Sequence, residues 1–261
     1  MQLTEGEMPQ FTELLLDISG GLLAYGAEVY RVEESLQYIG AAYGLTEDDV
    51  FAIPSHVILT LRLANGSAHT QSKRIFDRAT DLDKVDRLGD LCRRICRDRP
   101  GCAEIRRELD ALRARPTYPL FWQVISHGMA ACAFALFFGG SPWDAACAFL
   151  VGAPLKLLVE GMRRLRSNAF FSSLVCALFG AASAHLLALA FPALHPDAVI
   201  IGLLMTLVPG VVFTNAMRDF MAGDCIAGMI KLTEAILIGA GIAVGVSVSL
   251  AVLRPLLGVV A

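Results

Sequence analysis

Hydrophobic positions follow two regimes along this chain. Up to about residue 116 they keep a helical or strand period between charged residues, and from Tyr118 onward they run nearly unbroken. In the first regime Phe11, Leu14, Leu15, Ile18 and Leu22 fall at the spacing of an amphipathic helix. Val29, Val32, Leu36, Ile39 and Tyr43 repeat it, and the following Gly44 suits a helix C-terminus. The period then shortens. In HVILTLRLANGSAHTQ, Val57, Leu59, Leu61 and Leu63 alternate with Ile58, Thr60 and Arg62, and Asn65-Gly66 is a strong hairpin signal. Ala52-Ile53, before Pro54, adds a short strand. Helical spacing returns at Leu82, Val85, Leu88, Leu91, Cys92 and Ile95, and a last short helix carries Ile105, Leu109 and Leu112. Two helices, a small antiparallel sheet and two more helices predict a compact α+β domain over residues 1–116.

The second regime predicts a membrane domain over 117–261. A crossing helix needs about 20 apolar residues, and five stretches meet that: 119–139, 143–161, 169–191, 197–214 and 232–253. Arg113 and Arg115 precede the first, Arg163, Arg164 and Arg166 separate the second from the third, and Arg218 and Lys231 separate the fourth from the fifth. Arg254 alone lies beyond the fifth. With alternating spans, this asymmetry puts the polar domain and the basic loops in the cytoplasm and the C-terminus outside. The chain thus reads as an α-helical polytopic membrane protein of five transmembrane helices, N-terminus in and C-terminus out, with an N-terminal cytosolic α+β domain. Runs such as GAASA and GAGIAVGVSVS allow close helix approach, which suits a tight bundle and a permeation path between helices alike.

Composition agrees with a split between water and lipid. The chain is 55% hydrophobic and 18% charged, with a mean hydropathy of +0.57. A net charge of −3 gives no reason to expect a nucleic-acid partner. The seven cysteines form no visible framework, and Cys92-x3-Cys96, lacking two further ligands, reads as two thiols lining a helix face. His56 and His69 stand on separate strands with no evident carboxylate or thiol partner, so neither reads as a metal ligand, and neither a metal nor a cofactor is expected. The acidic start MQLTEGEMPQ is unlike a secretory signal peptide. Arg31-Val32-Glu33 on the second helix is open to two readings, an ion pair docking the polar domain on the membrane domain or, more simply, a solvated face.

The stretch LLMTLVPGVVFTNAMRDFMAGD carries the most chemistry. Pro209 removes a backbone donor and Gly210 adds freedom, so a helix breaks near the cytoplasmic end of the fourth span. Asn215, Arg218 and Asp219 then share one face of a short helix that Gly223-Asp224 can end, and Lys231 and Glu234 open the next. By spacing, this is either a broken helix that binds an ion or polar substrate, or a proline kink followed by an interfacial loop whose charges pair in water.

The motif PG-x4-N-x2-RD-x3-GD, here Pro209-Gly210, Asn215, Arg218-Asp219 and Gly223-Asp224, resembles the signature of the threonine/serine exporter (ThrE-like) family. GA-x3-RVE at Gly26-Ala27 and Arg31-Val32-Glu33, the Phe51-x2-Pro54 hairpin and DLDKVDRL are similar to that family's cytosolic domain. Full-length members carry a second membrane block of about five more spans, absent here. The chain therefore resembles the split form, in which a YjjP-like half works with a YjjB-like membrane subunit in succinate export.

The resemblance implies a secondary transporter in the bacterial inner membrane, surrounded by lipid, partnered by a second small polytopic subunit and compatible with a higher oligomer. It also implies that the motif positions bind substrate. Arg218 would then hold a carboxylate, Asn215 would hydrogen-bond the substrate, Asp219 or Asp224 would carry a proton or meet an ammonium, and Lys231 could meet a second carboxylate. Glu234 completes the charged set, and Pro209, Gly210 and Gly223 shape the break. Two rivals are a metal-dependent lipid-modifying enzyme within the membrane, for which no GxSxG or HExxH motif is present, and a noncatalytic scaffold.

Overall fold

The computed structural model describes residues 5–45, 47–76 and 78–256. The first four residues of the acidic start and the side chain of Arg254 lie outside what it describes. The chain divides into two compact units, Met1–Pro116 with Val211–Leu232, and Thr117–Gly210 with Thr233–Ala261.

In the first unit, α1 (Met8–Ala24) and α2 (Val29–Ala42) lead into an antiparallel meander of β1 (Glu47–Ile53), β2 (His56–Arg62) and β3 (Ala68–Arg74). Helices α3 (Leu82–Asp98) and α4 (Cys102–Arg113) follow. The periodic residues form one core: Phe11, Leu14, Leu15 and Ile18 meet Val32, Leu36 and Ile39, the buried face Val57, Leu59 and Leu61 of β2, and Leu88, Leu91, Ile95, Ile105 and Leu109. Asn65-Gly66 turns the β2–β3 hairpin, with Gly66 at φ +85° and the Asn65 side chain accepting from the Ser67 amide at 3.0 Å. Strand β1 is longer than Ala52-Ile53 suggested, because its acidic first residues, which lack an alternating pattern, pair with β2 back to Glu47 opposite Arg62.

A buried ion cluster fastens α1 to its neighbours. Asp17 is 7% exposed and is met by Lys73 of β3, Arg106 of α4 and Arg113, whose Nη2 also donates to the Asp17 carbonyl at 3.1 Å. Burial alone would raise the Asp17 carboxyl, but the hydrogen bonds from Arg113 and Lys73 outweigh it and hold the group down to about 2. Its folded value lies below its unfolded one, so its stabilisation is complete above pH ~4 and is lost as pH falls from there toward 2.

In the second unit, α5 (Leu120–Phe137), α6 (Pro142–Arg164), α7 (Ala169–Ala190), α8 (Pro196–Met205) and α10 from Thr233 pack side by side. A capping box between Ser141 and Asp144 starts α6, and the Asn168 side chain, accepting from the Phe171 amide at 2.8 Å, starts α7. Four helices are long and apolar enough to cross a membrane, Leu120–Phe137, Pro142–Arg164, Ala169–Ala190 and Cys225–Leu253, and α8 with α9 (Gly210–Ala222) makes a fifth if the bent pair is one span.

Two spans differ from the expected boundaries. The fourth is not one helix over 197–214 but stops at Met205 and resumes at Gly210. Helix α10 (Cys225–Leu256) begins seven residues before the fifth apolar stretch. Lys231 kept those residues out of an apolar window, yet it continues the helix and is buried.

Small residues set the helix spacing. A Cβ on Gly202 would lie 2.7 Å from the Ala131 carbonyl oxygen, and one on Gly128 3.0 Å from the Phe149 ring. On α10, a Cβ at Gly241 would collide with Ser173 Oγ and the Phe170 carbonyl, and one at Gly245 with the Leu174 carbonyl.

Two measurements check these features. Gly245→Ala must push α10 from the α7 backbone and is expected to cost about 1–3 kcal/mol, read as a lower melting temperature of the detergent-solubilised protein. Asp17→Asn is expected to remove about 2 kcal/mol at neutral pH and to flatten the loss of stability between pH 4 and 2, read by denaturant titration at a series of pH values.

Candidate functional site

The α1–α2 connection is built to present backbone groups. Gly26, at φ +96°, lets its own amide reach the Leu23 carbonyl at 3.1 Å and the Ala27 amide reach Leu22 at 2.9 Å, the paired bonds of a Schellman ending. Glu28 then occupies the N-cap of α2 in extended conformation, but its side chain makes no capping bond. The first amide of α2 is left for an acceptor from elsewhere.

Helix α9 supplies it. Asn215, Arg218 and Asp219 lie on one face of that helix, as their spacing predicted, and all three meet the 26–29 connection. Asn215 Nδ2 donates to the Gly26 carbonyl at 3.0 Å. Asp219 Oδ1 accepts from the Val29 amide at 3.3 Å, at a helix N-terminus that favours negative charge. Arg218 Nη1 donates to Glu28 Oε1. From α10, Lys231 Nζ sits 2.8 Å from Asp219 Oδ2 and 3.4 Å from the Ala27 carbonyl.

Burial differs sharply across this cluster. Asp219 is 0% exposed and Lys231 8%, whereas the Arg218 side chain keeps 55% of its surface. A carboxylate can be buried this deeply only when paired, and Lys231 with the Val29 amide provides the pairing.

The α9–α10 corner holds the arrangement. Gly223, at φ +95°, ends α9 with a second Schellman pair, its amide to Phe220 and the Asp224 amide to Asp219 at 2.9 Å. Gly228 on α10 packs against the Phe220 ring, which a Cβ would meet at 2.9 Å. The Asp224 carbonyl accepts from Gly228 at 2.9 Å. The Asp224 carboxyl is raised, by burial first and then by the charge of Asp219.

The remaining candidates are placed otherwise. Glu33 accepts from the Ala52 amide at 2.7 Å and so ties α2 to β1, and its carboxyl is raised by burial and by Asp224 and Asp219. Arg31, exposed, lies 3.6 Å from Glu28 Oε2. Glu234 and Pro209 fall in the second unit, and Gly210 at its border. Glu28 was missed. The available signal was an acid directly before a helical pattern, in a position whose side chain would ordinarily cap. Among the described residues no group of three or more His, Cys, Asp or Glu is placed to hold a metal. Cys92 is buried, which pushes its thiol up to about 12.

Known proteins bring the two motif blocks together in one family. A family model described as "Putative threonine/serine exporter" matches residues 13–253, nearly the whole chain. The chain belongs to the threonine/serine exporter family. It is 24% identical over 243 residues to a "Probable threonine/serine exporter" of Mycobacterium tuberculosis, an alignment covering 91% of this chain and 45% of that protein. It is 23% identical over 248 residues to a "Probable succinate transporter subunit YjjP" of Klebsiella aerogenes, covering 94% of this chain and 95% of that one. The chain thus spans about half the length of the mycobacterial exporter and nearly all of the Klebsiella subunit. No solved structure matches it. Exporter-family membership and several apolar helices agree in describing a multi-pass membrane protein.

Loss of one partner of the buried pair exposes its importance. Asp219→Ala leaves the Lys231 ammonium buried without its counter-charge and is expected to destabilise the protein by about 3–5 kcal/mol. Combining it with Lys231→Met is expected to restore most of the loss. Thermal melting of the single and double variants is the measurement.

Proposed function

We propose that this chain is one subunit of a secondary exporter that moves a small carboxylate-bearing metabolite out of the bacterial cytoplasm. The substrate is a dicarboxylate such as succinate or a hydroxy amino acid such as threonine or serine, and a second polytopic membrane subunit completes the transporter. The chain lies in the inner membrane with its α+β domain, residues 1–116, in the cytoplasm. The excess of Arg and Lys before the first span and between later ones supports that orientation. The near-complete overlap with the Klebsiella subunit supports the two-subunit form.

One observation carries the substrate reading: Arg218 is more than half exposed and bound by one nitrogen to a carboxylate of its own chain, Glu28. A guanidinium in that state can exchange an internal carboxylate for an external one, because its planar fork binds either in the same geometry. Asn215 and Lys231 are then the neighbouring donors. Asp219 stays paired with Lys231 and holds the α1–α2 connection in place. Asp224 suits the proton-carrying role better than Asp219, since burial and its acidic neighbour favour its protonated form. Exchange at Arg218 releases Glu28, which couples substrate arrival to the connection between α1 and α2.

Efflux of labelled succinate and labelled threonine from cells tests this reading. Arg218→Ala is expected to reduce efflux at least tenfold at normal membrane abundance. The exchanged pair Arg218→Glu with Glu28→Arg is expected to stay inactive, because the substrate needs the guanidinium on α9. Recovery of efflux in the exchanged pair would reduce Arg218 to a structural partner of Glu28.

A further inference from the structure

The second unit contains a polar node of its own. His127 is the eighth residue of α5, about 10 Å along the helix from its start, and Lys156 lies about 12 Å before the end of α6. Both depths fall inside the roughly 30 Å hydrocarbon layer a span must cross. Ionisable groups at such depth are costly and mark sites or pathways.

Packing brings the node together. A Cβ on Gly152 would lie 3.3 Å from Gly128 Cα and 3.6 Å from the His127 carbonyl oxygen, so α5 and α6 nearly touch here. Lys156 is one turn beyond Gly152 on the same face, with its ammonium within electrostatic reach of the His127 ring. A Cβ on Gly202 would abut Ala131 and Ala135, which fixes α8 against α5. Thr206, one turn beyond Gly202, ends α8 where the helix breaks.

Thr206 Oγ1 donates its single proton to the Leu203 carbonyl at 2.6 Å, so at 3.0 Å it accepts from His127 Nε2–H. Lys156, by contrast, has no carboxylate within 4 Å among the described residues. The nearest acid on its own helix, Glu160, is already held by Arg163 at 2.6 and 2.9 Å and by Arg164 at 3.6 Å. Glu160, one turn on from Lys156, feels its charge but is shared with both arginines, so this cation at membrane depth can take a further anion.

We propose that Lys156, Thr206 and His127 form a carboxylate-binding site inside the membrane unit. The inference rests on the reading of the chain as an exporter of small carboxylates and assigns that substrate a second station. Lys156 supplies the charge. The Thr206 hydroxyl turns from Leu203 to the carboxylate, and the His127 ring keeps the hydroxyl in position. The helix break beside Thr206 leaves room for the rotation, because the α8 ladder already ends there.

The test is equilibrium binding of radiolabelled succinate and radiolabelled threonine to the full-length chain in lipid nanodiscs, beside efflux of both compounds from cells. Lys156→Gln is expected to weaken binding about tenfold or more and Lys156→Arg to retain it. Thr206→Val is expected to weaken it about fivefold. Should Lys156→Gln fail to accumulate in the membrane, Thr206→Val and His127→Gln decide. Unchanged binding in Lys156→Gln and Thr206→Val, with efflux intact, overturns this site and leaves the exporter reading standing. No binding of either compound by the unmodified chain, together with no efflux of either from cells that also make its second subunit, overturns both.

Discussion

The polar unit depends on one buried carboxylate. Asp219 has no exposed surface, and both its oxygens are used, one by the Val29 amide and the other by the Lys231 ammonium. The Val29 amide lies 190 residues from Asp219 in the chain, so the requirement that a buried charge be paired becomes a requirement on topology. Residues 211–232 therefore belong to the same compact unit as the amino-terminal domain, although their sequence lies between apolar spans. A buried ion pair adds little net stability, but it penalises every arrangement in which either partner is left alone. Here it selects the arrangement in which α9 caps α2.

Around that pair the electrostatics are graded. Asp219, Glu28 and Lys231 are enclosed, and Arg218 is open. Fixed charges inside and an exposed one outside are what the proposed exchange of carboxylates at Arg218 requires. The other side of α9 is different in kind: Phe213, Met217 and Met221 are exposed. A short helix with a charged face and an exposed apolar face has the pattern of one lying at a water–lipid boundary. The break that frees α9 follows from Pro209. Without its N–H the ladder of α8 cannot continue, and the last turn tightens, with Thr206 bonding back to Leu203 and Leu207 to Leu204.

The membrane unit is organised by absence of side chains as much as by their presence. Gly128, Gly152, Gly202, Gly241 and Gly245 each stand where a methyl group would meet a neighbouring helix. Close backbone approach lets dispersion hold helices that share no hydrophobic driving force in lipid. It also brings polar groups from separate helices within reach, as with His127 and Thr206.

Much of this was legible in the sequence. Hydrophobic period alone marked the helices and strands of the first 116 residues and the apolar helices after them, because a helix or strand half in water must alternate and a span must not. Asn65-Gly66 placed the hairpin, Pro209-Gly210 placed the break, and the spacing of Asn215, Arg218 and Asp219 placed them on one helix face. These are local constraints, fixed by φ, by donors lost and by residues per turn. The partners of those residues were not legible. Glu28, the Val29 amide, and the pairing of His127 with Thr206 depend on which distant segments meet, and nothing in a residue's neighbours encodes that. The early start of α10 was hidden for the same reason: a lysine reads as the end of a span until the structure supplies the aspartate that neutralises it. Sequence determined the elements and the chemistry each one carries, while the tertiary structure decided the pairing, because compensation of a buried charge is a property of three-dimensional contact.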